Sequence, residues 1–281
     1  MEAKRREFCT MTVPTAKWKV FRECNYQCSY CTVWQDCSED PSSELASAYA
    51  AAVSETIPDG WRVYLTGGEL TVRKRTTEAV IQQLSHRGHE LRIISNLSAP
   101  VEYYLRLLEL STGRLGSIFL TRHRGCVPVS TFADKVRDLR NRLPSSCELL
   151  ARQVVETGED GIRDFLQCRE RLGEAGVELY PLRLVVIENG RKRLADYGHS
   201  ALPDLAERIF VSYPDFPARQ GTYCPAGFEY VYITPALDVY TCIPYVGRQD
   251  GFLGNCLRGT VKLRERPTLC ELPRCHCVPG R

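Results

Sequence analysis

Short β-rich runs alternate with helical segments between residues 18 and 186, and this alternation restricts the fold more than any other feature of the chain. Strands that alternate with helices form a parallel sheet, so the pattern predicts an α/β fold. Six strand–helix units are too few for the usual eight-fold closed barrel. The predicted strands are 18–22, 61–65, 90–94, 116–120, 147–155 and 179–186, and the predicted helices are 43–56, 76–87, 99–110, 130–143 and 160–175.

Three of the fourteen cysteines fall within eight residues, directly after the first predicted strand, in the order Cys24-Asn-Tyr-Gln-Cys28-Ser-Tyr-Cys31. Three thiolates can bind three irons of a [4Fe-4S] cluster and leave the fourth iron open to a small molecule. A zinc site and unrelated buried thiols are the alternatives. Zinc sites usually show paired C-x₂-C or C…H ligands, and this loop has no fourth ligand nearby in the sequence.

The CxxxCxxC spacing, with Tyr30 before the last cysteine, resembles the signature loop of the radical S-adenosylmethionine (SAM) superfamily. The resemblance implies a partial (β/α)₆ barrel in which SAM binds the open iron through its amino and carboxylate groups. It further implies that one electron cleaves SAM to methionine and a 5′-deoxyadenosyl radical, which abstracts a substrate hydrogen. An outside reductant such as flavodoxin or ferredoxin is expected as a partner.

Two further motifs follow the next two predicted strands. Thr66-Gly67-Gly68-Glu69 resembles the GGE motif with which the family binds the SAM amino group, although Gly-Gly is also common in ordinary turns. Ser95-Asn96 resembles the polar pair that contacts the SAM ribose, although asparagine is also a routine turn residue.

Basic side chains follow or lie on the fourth, fifth and sixth predicted strands. Inward-facing Arg152 and Arg183 are candidates for holding the SAM carboxylate or a substrate anion, since a guanidinium binds carboxylates bidentately. Structural salt bridges are the alternative for these two, and surface charge is the alternative for Arg122 and Arg124. His123 is either a proton-transfer group or a structural histidine.

A second group of cysteines occupies the C-terminal part. Cys224 and Cys242 bracket two alternating runs, 230–233 and 239–242, which predict a hairpin that brings the two sulfurs close together. This resembles the SPASM/Twitch extension of radical SAM enzymes, which holds an auxiliary [4Fe-4S] cluster. The resemblance implies Cys224, Cys242, Cys275 and Cys277 as ligands, with Cys270 as the substitute. Zinc is the alternative metal. The domains are expected at 1–214 and 215–281.

The remaining cysteines raise two chemical outcomes. Cys256 and Cys270 are candidate hydrogen-atom donors to a substrate radical, which would make the reaction an epimerisation. Alternatively, the auxiliary cluster accepts an electron and the reaction is an oxidation. Five further cysteines are interpreted as ordinary free thiols: Cys9, Cys37, Cys126, Cys147 and Cys168.

Charge and composition restrict the partners and the compartment. A net charge of +3 is too small to favour nucleic acid, and no run of about 20 apolar residues suggests a membrane span. Many cysteines without an export signal favour metal binding in a reducing cytoplasm.

The expected substrate follows from what the chain lacks. No segment is left over for a leader-binding domain, which favours a small polar molecule over a peptide. We expect a sugar or aminocyclitol from natural-product (antibiotic) biosynthesis, oxidised or epimerised at a carbinol carbon. A peptide substrate, a glycyl-radical partner protein and a non-catalytic zinc-binding module are the alternatives.

Overall fold

The computed structural model describes residues 13–31, 43–188, 191–197, 209–210 and 220–272. Several sequence predictions concern residues outside this part: the thiols of Cys9, Cys37, Cys275 and Cys277, and the domain boundary at 215.

Six parallel strands stand side by side in chain order, and one α-helix lies between each strand and the next. This confirms the predicted α/β fold and its six-unit half-barrel order. The strands are β1 Thr15–Phe21, β2 Arg62–Gly67, β3 Glu90–Ser95, β4 Leu115–Arg122, β5 Glu148–Val155 and β6 Leu179–Arg183. The helices are α1 Ala46–Thr56, α2 Lys74–His86, α3 Val101–Leu110, α4 Val129–Arg142 and α5 Glu159–Gly173.

The two faces of the sheet differ in burial, because successive side chains of a strand point to opposite faces. On β2, Val63 and Leu65 are fully buried, whereas Tyr64 between them is half-buried. The same alternation continues on β3 and β5. The apolar face forms the hydrophobic core, which the amphipathic helices cover. The other, inner face carries polar and aromatic side chains.

The sixth predicted strand is interrupted. β6 ends at Arg183, and a separate antiparallel pair follows, formed by β7 Val185–Glu188 and β8 Arg191–Leu194. The backbone N–H of Leu184 donates to the hydroxyl of Tyr197 at 3.0 Å instead of to a neighbouring strand. This side-chain acceptor accounts for the break within the predicted range 179–186.

The C-terminal hairpin is confirmed, and it extends the main sheet. β10 Tyr230–Ile233 pairs antiparallel with β11 Asp238–Tyr240 and parallel with β1, and β12 Phe252–Asn255 completes a nine-stranded sheet. β9 Tyr223–Cys224 pairs with β13 Thr268–Leu269 in a separate two-stranded sheet. Strands from both sides of the expected boundary at 215 therefore share one sheet. The division into two domains stays a prediction.

Within the part of the chain that the structure describes, no helix combines the length and the apolar character needed to cross a membrane.

Candidate active site at the carboxyl edge of the sheet

The sequence motifs meet at one edge of the sheet. The cysteine loop follows β1, the Gly67–Glu69 turn ends β2, Ser95 and Asn96 end β3, and the turn at His123 follows β4. Because parallel strands end at the same edge, their following loops are neighbours, and ligand sites in such sheets lie there.

The two glycines of the second motif bring its backbone against the start of the cysteine loop. Gly68 N–H donates to Phe21 O and Glu69 N–H donates to Glu23 O, both at 2.8 Å. A Cβ on Gly68 would lie 1.9 Å from Glu23 O, and one on Gly67 would lie 2.2 Å from Phe21 O. No other residue type fits this approach, so the glycines hold the two loops together.

The Glu69 carboxylate, only 1% exposed, links this turn to the end of β3. Oε1 accepts from Thr71 N–H at 3.0 Å and from the Ser95 hydroxyl at 2.7 Å, and Oε2 accepts from Asn96 N–H at 2.6 Å. Burial raises the pKa of Glu69, and these three donors oppose that rise. A carboxylate offers about four acceptor positions, so one position on Oε2 is left for a ligand.

Ser95 and Asn96, predicted together to contact the SAM ribose, differ in position: Ser95 is internal and Asn96 faces the cysteine loop. Ser95 is buried and shares hydrogen bonds with Glu69 and with the Tyr104 hydroxyl at 2.7 Å. Asn96 donates from its side-chain amide to Asn25 Oδ1, inside the cysteine loop, at 2.9 Å. The structure therefore brings Asn96 to the cysteine loop and places Ser95 beneath it.

His123 ties the β4 turn to the same loop. Its Nδ1 lies 2.9 Å from the Tyr30 hydroxyl, its ring stacks on Tyr30 and it meets Tyr26 edge-on. Burial and, to a smaller extent, the positive charge of Arg152 lower the pKa of His123 to about 4. His123 is therefore neutral at pH 7, and whichever proton arrangement it adopts, Tyr30 is its partner.

The three cysteines are half-buried free thiols. Burial raises the pKa of Cys24, which the Tyr26 N–H partly opposes at 3.4 Å from the sulfur. Burial and the neighbouring thiol of Cys126 raise the pKa of Cys28 to about 12. Cys126, interpreted from the sequence as an ordinary free thiol, therefore lies next to the cysteine loop. Its position four residues after the end of β4 is the sequence signal for this location.

The donor set suits an iron–sulfur cluster in kind, since three thiols share one loop and Cys31 acts electrostatically on both Cys24 and Cys28. Among the described residues, however, no three His, Cys, Asp or Glu side chains are arranged to hold a metal ion. Ligation therefore requires the thiols to turn toward a common centre.

Two of the basic residues considered for the site have structural partners. Arg122 is 2% exposed and forms a salt bridge with Asp164 of α5, and its Nη1 also donates to Gln153 at 2.9 Å. Arg124 pairs with Glu156 at 2.8 Å. Arg122 is therefore part of a buried salt bridge, and the alternative of a surface charge does not fit its burial.

Arg152 and Arg183, predicted to face inward together, lie on opposite faces. Arg183 pairs with buried Val155 in the β5–β6 register, and its guanidinium lies 4.5 Å from the centre of the Phe210 ring. Alternation along the strand places Arg152 on the inner face. The prediction of an inward Arg183 is therefore wrong, because the register of β6 could not be read from its sequence.

Arg152 lies on the inner face within electrostatic reach of His123. Its Nε donates to the Thr121 hydroxyl at 2.8 Å and its guanidinium stacks on Phe119. Burial lowers the pKa of Arg152 to about 10, so the group is still cationic at pH 7. Among the described residues no carboxylate forms a salt bridge with Arg152, which leaves its charge for an anionic ligand.

The C-terminal cysteines line a separate cavity of about 350 Å³. Cys224, Cys242 and Cys270 all contribute to its wall, with Arg264 and Tyr245 beside them. The expected proximity of Cys224 and Cys242 is confirmed, since both pack in one small cluster with Tyr230. Cys270, predicted as a substitute ligand or as a hydrogen-atom donor, joins them, whereas Cys275 and Cys277 lie outside the described residues.

Cys256, a candidate hydrogen-atom donor, lies in the hydrophobic core at 5% exposure. Its thiol hydrogen-bonds with Thr56 at the end of α1, and burial raises its pKa to about 11. This packing beneath α1 does not fit a thiol that meets a substrate radical. Cys147 and Cys168 are buried core thiols, as expected.

No protein-family model and no curated protein matches this chain, but solved structures do. Streptococcus suis SuiB bound to S-adenosylmethionine matches with a TM-score of 0.57 and 12% identity, over 88% of this chain and 64% of SuiB. Native anSMEcpe with bound AdoMet, which is SAM, matches with a TM-score of 0.56 and 14% identity, over 88% of this chain and 78% of anSMEcpe. SuiB bound to its precursor peptide SuiA matches with a TM-score of 0.56 and 10% identity, over 89% of this chain and 65% of SuiB.

At such identities the likeness to these solved structures establishes the fold alone. The chain therefore shares with them an α/β fold in which helices flank a mostly parallel sheet. It spans less than two thirds of the length of SuiB.

Proposed function

We propose that this chain is a radical SAM enzyme whose reaction takes place at the carboxyl edge of β1–β4. The observation that carries the proposal is the backbone contact between two loops. The Gly67–Glu69 turn hydrogen-bonds to Phe21 and Glu23 at 2.8 Å, directly before Cys24. The fold shared with SuiB and anSMEcpe, both solved with SAM bound, supports the same interpretation.

In this proposal Cys24, Cys28 and Cys31 hold the [4Fe-4S] cluster. When bound, that cluster supplies the electron that cleaves SAM into methionine and the 5′-deoxyadenosyl radical. The backbone of Gly67 and Gly68 borders SAM.

Each side chain around the cluster binds a different group of SAM or supports a residue that does. The remaining acceptor position of Glu69 takes the ammonium group. Asn96, on the loop side of its pair with Ser95, serves the ribose, while Ser95 fixes Glu69. Tyr30 holds the loop against His123.

Arg152 completes the site as the cation for the SAM carboxylate. It lies close enough to His123 to lower the pKa of that imidazole, and His123 contacts the cysteine loop through Tyr30. A guanidinium in this half-buried position offers charge-assisted hydrogen bonds, which are stronger than neutral ones.

The cavity at Cys224, Cys242 and Cys270 is proposed to hold one auxiliary [4Fe-4S] cluster. Three thiols line its wall, and the fourth ligand would come from Cys275 or Cys277. Cys270 then becomes a ligand and is no longer a candidate hydrogen-atom donor. With Cys256 buried as well, an oxidation in which the auxiliary cluster accepts the second electron is favoured over an epimerisation.

The proposed substrate is a small polar molecule of the sugar or aminocyclitol kind, oxidised at a carbinol carbon. The inner face supports this class, because Arg92, Tyr64 and Thr121 line it with hydrogen-bonding groups suited to hydroxyls. A peptide substrate is the second candidate, since SuiB was solved with precursor peptide SuiA and anSMEcpe with the Cp18Cys peptide. Flavodoxin or ferredoxin is the proposed electron donor.

The first experiment measures iron and sulfide anaerobically in the wild type and in a Cys24→Ala/Cys28→Ala/Cys31→Ala variant. About eight irons per chain, falling to about four in the variant, are expected for one SAM cluster and one auxiliary cluster. The matched control is Cys224→Ala/Cys242→Ala/Cys270→Ala, which should also lose about four irons. With dithionite and SAM, the wild type and the control variant should form 5′-deoxyadenosine, and the Cys24→Ala/Cys28→Ala/Cys31→Ala variant should not.

Two results would overturn parts of this assignment. A wild type that contains zinc and no iron would eliminate radical chemistry. Iron that disappears completely in the first variant would show that the C-terminal cavity holds no iron cluster, and a zinc or thiol role would replace the auxiliary cluster there.

A further inference from the structure

A fourth thiol stands against the cysteine loop. Cys126 is exposed, and its side chain hydrogen-bonds with that of Cys28. Its charge also acts on Cys24, Tyr26 and Tyr30, so it is a neighbour of much of the loop.

The fold holds Cys126 in this position by contacts that do not involve the thiols. The Tyr30 hydroxyl lies 2.9 Å from Nδ1 of His123, and both Tyr26 and Tyr30 pack on the imidazole ring. Cys126 follows in a tight turn in which its N–H donates to His123 O at 3.1 Å. The turn after β4 is thus attached to the cysteine loop three residues before the fourth thiol.

We propose that Cys126 is an exchangeable fourth thiolate, which binds the open iron of the cluster while SAM is absent and is displaced when SAM binds. The inference rests on the proposed function, because it requires a cluster on Cys24, Cys28 and Cys31.

The exchange is a substitution at iron with no change of oxidation state. The bond between iron and the Cys126 sulfur breaks, and bonds from iron to the amino nitrogen and a carboxylate oxygen of SAM form. The released thiolate takes up a proton from solvent, and the proton of the SAM ammonium goes to solvent. An exposed position suits this role, since the displaced side chain can swing toward water without leaving a cavity in the core.

The exchange would protect the resting enzyme. An iron with three cysteines and no fourth protein ligand is the one that a cluster loses first on oxidation. Ferricyanide removes one electron from [4Fe-4S]²⁺, and the resulting [4Fe-4S]³⁺ releases Fe²⁺ and leaves [3Fe-4S]⁺. A fourth thiolate slows this loss.

The test compares SAM-free wild type with Cys126→Ala and with the matched control Gly125→Ala. Gly125 is the adjacent residue, and a Cβ there would meet no atom within 4 Å, so the control alters the turn but keeps the thiol. All three proteins are treated with ferricyanide, and the [3Fe-4S]⁺ signal is quantified by electron paramagnetic resonance. Cys126→Ala should give several times more of this signal than the other two proteins.

The affinity for SAM, measured anaerobically by titration calorimetry, is a second readout. If the thiolate occupies the iron in nine-tenths of the molecules, its removal should lower the apparent Kd of SAM roughly tenfold. Gly125→Ala should leave the Kd unchanged.

Equal [3Fe-4S]⁺ signals and equal Kd values in the wild type and Cys126→Ala would overturn the role of Cys126 and leave the proposed function intact. Failure of the proposed function looks different, because then the Cys24→Ala/Cys28→Ala/Cys31→Ala variant has the same iron content as the wild type. A Cys126→Ala protein that does not fold would be replaced by Cys126→Val, which has no atom that can bind iron and whose added methyl groups the exposed position accommodates.

Discussion

The hydroxyl of Tyr30 lies 2.9 Å from Nδ1 of His123, and the two rings are stacked with their planes 18° apart. Tyr30 belongs to the loop after β1 and His123 to the turn after β4, so this pair joins two loops at the carboxyl edge of the sheet. The contact fixes the end of the cysteine loop, whereas the Gly67–Glu69 turn fixes its start. Cys24 and Cys28 lie between these two attachments and Cys31 directly follows the second, so the loop has limited freedom.

The protonation of His123 should make stability depend on pH. Because burial lowers its pKa to about 4 from the ordinary 6.5, the unfolded chain binds a proton that the folded chain does not. The contribution to stability is complete above about pH 6.5 and is lost as the pH falls toward 4. We expect a loss on the order of 2 kcal/mol, measured by urea unfolding.

The control for this prediction is a pair of variants. His123→Gln should have a flatter pH profile than the wild type, while exposed His86→Gln should keep the wild-type slope. Identical slopes in all three proteins would show that His123 titrates normally.

Gly68→Ala should destabilise the fold and displace the cysteine loop. A Cβ at this position would lie 1.9 Å from Glu23 O and 2.4 Å from Arg22 O, both backbone atoms that cannot turn away. We expect a loss of at least about 3 kcal/mol in the free energy of unfolding. Gly173→Ala, in α5 with no atom within 4 Å of its Cβ, should be neutral or stabilise by up to about 1 kcal/mol. Thermal unfolding of both variants checks the contrast, and a fully stable Gly68→Ala protein would contradict the loop contact.

The buried salt bridge of Arg122 with Asp164 should show strong coupling in a double-mutant cycle. Removing either partner alone leaves an uncompensated charge next to Gln153, at a cost of about 3–5 kcal/mol. Removing both should cost less than the sum of the single losses, with a coupling energy of about 2–3 kcal/mol.

The control pair is Arg163 with Glu159, which lies on the exposed face of the same helix. Its coupling should be below about 0.5 kcal/mol, since solvent screens exposed pairs. Denaturant unfolding gives both values. A weak coupling for Arg122 and Asp164 would return Arg122 to the candidates for anion binding.

Arg152→Met should weaken SAM binding while the fold persists. The substitution keeps the apolar contact with Phe119 and removes the charge-assisted hydrogen bonds that we attribute to the SAM carboxylate. Each such bond contributes about 1.5–3 kcal/mol, so the Kd of SAM should rise by roughly 10- to 100-fold. Titration calorimetry on the reconstituted protein measures this. An unchanged SAM affinity together with a raised KM for the substrate would show that Arg152 binds a substrate anion instead.

Local patterns determined much of this protein in advance. The alternation of β-rich and helical segments predicted the parallel sheet, and the spacing of Cys24, Cys28 and Cys31 indicated the candidate cluster loop. Two alternating runs between Cys224 and Cys242 predicted the hairpin that brings those thiols together. Each of these features depends on residues close in sequence, whose geometry is set by backbone periodicity and short turns.

The tertiary structure alone decided which side chains face the site. Arg152 and Arg183 differ because the face of a strand depends on its register with its neighbours, and register is set by pairing between distant segments. Glu69 binds the end of β3, and Cys126 reaches Cys28 from the end of β4, only because the parallel strands end at one edge. Contacts of this kind join loops many residues apart in the chain, and they exist only once the sheet has formed.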